Sequence, residues 1–89
     1  MALQIGNQGP PLEVVVEQLR GAIAAAIADA KITIQPRGPG HFEISVVSKA
    51  FDGSSRVQQH QLVYGAITEM MSGPHAPVHA IDKLECKSP

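Results

Sequence analysis

Apolar residues recur at spacings of three and four from the twelfth position onward: Leu12, Val15 and Val16, Leu19, Ile23 and Ile27. That period lays one stripe along a helix running from residue 12 to about residue 30. Glu13 and Glu17 suit the positive end of its dipole. The segment "AIAAAIADA" combines high helix propensity with small side chains, which lets the helix lie close to a sheet. The period then drops to two. Ile32 and Ile34 alternate with Lys31, Thr33 and Gln35, which predicts a short strand with one wet face, and Pro36 ends this strand or marks it as an edge. Beyond a "PRGPG" loop, Phe42, Ile44 and Val46 alternate with Glu43 and Ser45. This predicts a second strand, joined to the first by a hairpin loop of about five residues.

"KAFDGSS" is turn chemistry. Asp52-Gly53 breaks the chain and Ser54 or Ser55 caps a longer helix, with room for a short extra helical turn before it. That helix is expected to run to about Met71 and to bury Val63, Ile67 and Met70, with Leu62 and Ala66 beside them. Gly73 and Pro74 stop it. The last strand is "VHAIDKLEC", with Val78, Ala80, Leu84 and Cys86 on the buried parity and His79, Ile81, Lys83 and Glu85 on the other. The helical crossover between the second and third strands is long enough for parallel pairing with a right-handed connection. The expected fold is therefore α+β in the order αββαβ, a three-stranded mixed sheet with both helices on one face. Residues 1–11 are expected to form a flexible lead-in and 12–89 a single domain.

Composition narrows the function classes. The chain has 89 residues, enough for one small domain. Hydrophobic residues make up 44% but aromatics only 3%, so the core has to be aliphatic. The net charge is −1 with the histidines neutral, and the seven basic residues are scattered. That balance weighs against binding nucleic acid through phosphate neutralisation. No apolar run approaches the roughly 18 residues of a membrane helix. "MALQIGNQGPP" lacks the charge pattern of a signal or transit peptide, which points to the cytoplasm, or to mitochondria if a presequence has been removed. The single cysteine, Cys86, cannot form an internal disulfide and fits a reducing compartment. Its parity makes it a small buried hydrophobe. No Ser/His/Asp or Cys/His arrangement and no phosphate-binding glycine loop is visible, so no enzyme is expected.

The chemistry that remains is imidazole. His79 falls on the strand parity facing away from the core, where a lone histidine is either a surface or packing residue or a metal ligand. His41 opens the second strand beside the Gly/Pro loop. His75 stands in the "GPHAP" loop, four residues before His79. His60 lies in "RVQQHQLVYGA" with Gln58, Gln59 and Gln61. Together they offer hydrogen bonds without strong charge, which suits a protein partner better than phosphate.

"SVVSKAFDGSSRVQQHQLVYGAI" followed by "VHAI" resembles the BolA family. Ser48, Phe51, Gly53, His60, Leu62, Val63, His79 and Ala80 carry the likeness, and the order of elements matches over roughly residues 12–86. The resemblance implies a fold like one type of KH domain (type II). It also implies pairing with a monothiol glutaredoxin around a glutathione-coordinated [2Fe–2S] cluster shared by the two proteins, so that the isolated chain would be apo. The family's His before Ala supplies an iron ligand, which falls on His79. Its second ligand, a Cys or His, comes from the loop between the first two strands. Here that loop offers His41, with Gly38 where many members carry the ligand. Gln59, His60 and His79 are the residues expected to meet the partner, and a homodimer is a further possibility. The KH-like order also suggests a nucleic-acid-binding regulator. The clamping GxxG loop of KH domains has no counterpart between the second strand and the long helix, where "AFDGSSRV" has a single glycine.

Overall fold

The computed structural model of the chain describes residues 10–89. The expected lead-in therefore lies outside the described residues except for Pro10 and Pro11. Pro11 caps the first helix, α1, Leu12–Ala26, where a missing N–H costs nothing. Val15, Leu19 and Ile23 form its buried stripe, and Ile27 continues it from the cap position. Leu12, expected in that stripe, is half exposed at 50%. The helix also stops short of residue 30. Ile27 is extended, and Asp29 takes a left-handed φ of 53°. Aspartate tolerates that conformation better than most residues. The early exit keeps Ile27 in the core while turning the chain into the sheet, so tertiary packing overrides the alanine-rich propensity.

The sheet has the order β1-β2-β3. Strand β1, Lys31–Gly38, pairs antiparallel with β2, His41–Val47, and β2 pairs parallel with β3, Ala80–Lys87. Central β2 contributes Phe42, Ile44 and Val46 to the core, all buried. Pro36 does not end β1. It pairs with Phe42 inside the strand, tolerated because β1 is an edge. The expected five-residue loop shrinks to Pro39 and Gly40, with a register shift between Pro36 and Gly38.

Ser48 is the buried polar residue of the core. Its hydroxyl donates to the Ala28 carbonyl at 2.7 Å and accepts from the Ala50 amide at 3.0 Å. It thereby fixes the turn after α1 and starts a single 3-10 turn at Lys49–Phe51, the extra helical turn expected there. Helix α2, Arg56–Ile67, comes next with a reciprocal capping box: Ser55 Oγ accepts from Gln58 N, and Gln58 Oε1 accepts from Ser55 N. Val63 and Ile67 are its buried residues. Leu62, expected beside them, is 42% exposed because it lies a step around the helix from that stripe. The stretch to Met71 is a 3-10 turn, Thr68–Met71, rather than α-helix, and Met70 packs only partly against the core.

Strand β3 begins at Ala80, later than the pattern indicated, although Val78 just before it is fully buried. Its register against β2 shifts at one point: Phe42 pairs with Ile81, but Glu43 pairs with Lys83. Asp82 is the extra residue. The bulge switches the alternation, so Ile81 packs against the core with Leu84 and Cys86 instead of facing away.

Candidate functional site

A cleft of about 430 Å³ opens between the start of α1, the β1–β2 turn and the segment leading into β3. Leu12, Val15 and Phe42 line it together with the Gly38–Gly40 turn, His75 and His79. The turn sets the position of His79. The Gly40 carbonyl accepts from the amides of both His79, at 2.7 Å, and Ala80, at 3.1 Å. Gly40 has φ 76°. A Cβ built on it would lie 2.6 Å from His79 Cγ and 2.6 Å from Nδ1. The imidazole therefore rests against a backbone that only glycine supplies, with its own backbone tied to the same residue. The ring remains exposed to solvent.

The other predicted residues divide between locations. His41 does not line this cleft. It stands opposite Ala80 in the sheet, on the parity opposed to buried Phe42, and its Nδ1 is 2.9 Å from Asp82 Oδ1. The bulge that exposes Asp82 creates this partner. His75, by contrast, lines the same cleft as His79. His60 is half-buried in a separate groove of about 320 Å³ between α2 and β3, lined by Arg56, Leu84 and Cys86 among others. Gln59 turns its amide inward, donating to the carbonyls of Phe51 at 3.4 Å and Ser54 at 3.3 Å. Gln58 is used by the capping box, so half of the polar helix start serves local structure.

Burial pushes the Cys86 thiol above its ordinary value of 9.0. Among the described residues no group of three or more His, Cys, Asp or Glu side chains converges as a self-sufficient metal site. No helix among them is long and apolar enough to cross a membrane. Gly40 and Asp82 shape the site, yet sequence reasoning misses both. The Gly-Pro-Gly run does signal a position with positive φ, whereas Asp82 carries no sequence signal, since its role depends on a bulge.

Comparison with known proteins agrees with this architecture. A sequence profile of the BolA family, described as BolA-like protein, matches residues 13–89. The chain is similar to BolA-like protein 1 of Mus musculus, 43% identical over 49 residues covering 55% of this chain and 33% of that protein. It is also similar to BolA-like protein 1 of Pongo abelii, 28% identical over 89 residues covering 94% and 62%. The chain thus spans less than two thirds of the length of these curated relatives. The solution structure of BolA1 protein from Mus musculus superposes with a TM-score of 0.73 at 28% identity, covering 100% of this chain and 77% of that one.

Proposed function

The chain belongs to the BolA family, matched over residues 13–89, and from that premise we propose that it is a non-catalytic adaptor in iron–sulfur cluster handling. In this reading it pairs with a monothiol glutaredoxin and completes the coordination of a [2Fe–2S] cluster shared with that partner and glutathione. The observation that carries the proposal is the seat of His79, an exposed residue lining a cleft with its position set by Gly40.

The donor chemistry fits. An imidazole nitrogen binds iron well, and His in place of Cys at a cluster raises its potential. Apart from His75, the residues lining the cleft beside His79 are apolar or glycine. The chain's own share is small, which is why the cluster belongs to the pair and the isolated chain is apo. Half-buried His60 and exposed Gln61 on α2 would contribute uncharged contacts to the partner. The scattered basic residues leave nucleic acid without a phosphate-binding face.

The test mixes the chain with a monothiol glutaredoxin, glutathione, iron and sulfide, and records visible absorbance and circular dichroism. The mixed complex should have a spectrum distinct from that of the glutaredoxin alone. No change in that spectrum on adding the chain would sink the proposal.

A further inference from the structure

We propose that His75 is the second imidazole of this site, so that the cleft holds a transition-metal centre through His75 and His79. The inference rests on the reading of His79 as a ligand and names the residue that joins it.

Three observations lead to it. First, the β1–β2 turn presents Gly38, Pro39 and Gly40 to the cleft and thus no side-chain donor. Second, His41, at the end of that turn, does not line the cleft and is paired with Asp82 at 2.9 Å. Recruiting it would cost that pair. Third, His75 and His79 both line the cleft and are both exposed. Among the described residues neither ring makes a hydrogen bond that metal binding would have to break.

The spacing and the backbone support the pair. His75 and His79 form an His-x₃-His run, a ligand spacing common in metal sites. The sequence "PHAPVHA" repeats His-Ala behind a proline-containing step. The intervening chain is short and anchored. The Ala76 amide donates to Gly73 at 3.4 Å, Val78 to Met70 at 3.2 Å and His79 to Gly40 at 2.7 Å. Pro74 and Pro77 restrict the backbone on either side of His75 and Ala76. The loop is thereby held at the cleft, with His75 exposed on it. Two neutral imidazoles from one short loop form half of a tetrahedral site, and the remaining ligands come from elsewhere.

The test has two arms. In the first, zinc alone is titrated into the isolated chain while the four histidine rings are followed by imidazole ¹⁵N NMR. The His75 and His79 rings should shift together with one dissociation constant, and those of His41 and His60 should stay in place. His75→Ala should weaken zinc binding at least about tenfold, since losing a direct ligand exceeds the loss typical of an outer-shell change. In the second arm, the cluster complex with glutaredoxin is formed with His75→Ala, His75→Cys, His41→Ala and His79→Ala. His75→Ala should alter the visible dichroism and His75→Cys should retain a bound cluster. If His79→Ala alters the spectrum and His75→Ala does not, or if His41→Ala reproduces the effect of His79→Ala, the assignment of His75 is wrong while His79 stands. If His79→Ala also has no effect, the reading of the site falls with it.

Discussion

Replacing Gly40 with alanine tests how the fold positions the imidazole of His79. The added Cβ would meet His79 Cγ and Nδ1 at 2.6 Å, where ordinary contact begins near 3.4 Å. The His79 backbone cannot retreat easily, because its amide and that of Ala80 both donate to Gly40. The ring has to move by roughly 1 Å, about twice the tolerance for a precisely held site. Two costs add: about 1–2 kcal/mol for a Cβ in the left-handed region and about 0.5–1.5 kcal/mol for forcing the exposed ring off its rotamer. Gly53 provides a matched control, since it shares φ 76° and has nothing within 4 Å of a built Cβ. Gly53→Ala should show the conformational cost alone. The excess of Gly40→Ala over Gly53→Ala in urea unfolding should therefore be about 0.5–1.5 kcal/mol. That excess should largely vanish in the His79→Ala background, the signature of two residues in contact. Equal destabilisation by the two alanines, with no relief in the His79→Ala background, would refute the argument that the turn seats the ring.

Two further outcomes are expected from the same structure. Ser48→Ala leaves the Ala28 carbonyl and the Ala50 amide without their partner, and should cost about 1–3 kcal/mol in urea unfolding, a large share of the stability of so small a domain. Cys86, its thiol held up by burial, should react slowly with iodoacetamide at neutral pH and faster only as pH rises past 9.0 or when urea exposes it, as mass spectrometry would show.

Much of the fold is legible in the sequence because its elements obey local periods. Val15, Leu19 and Ile23 mark α1, Phe42, Ile44 and Val46 mark β2, and the Ser55 cap marks the start of α2. Pattern fails where a distant contact decides the outcome. Pro36 marks β1 as an edge, one of the two readings open in the sequence, but that the strand runs past it to Gly38 follows from the pairing with β2. Ile81 reaches the core only because Asp82 bulges out, and no alternation along "VHAIDKLEC" reveals a bulge. The site shows the same division. His79 is visible from its motif. The fate of His41 depends on Asp82, forty-one positions away in sequence. Gln58 and Gln59 read as a free polar face, but they satisfy Ser55 and the carbonyls of Phe51 and Ser54. Short polar side chains at a helix start compete for local backbone groups before they are available to partners.

The most direct measurement is visible circular dichroism of the glutaredoxin–glutathione cluster complex formed with wild-type chain and with His79→Ala. The variant should still fold, since His79 is exposed. The account predicts that His79→Ala abolishes the mixed-complex spectrum and returns that of the glutaredoxin alone. A mixed complex with an unchanged spectrum would contradict the assignment of His79 as the chain's iron ligand.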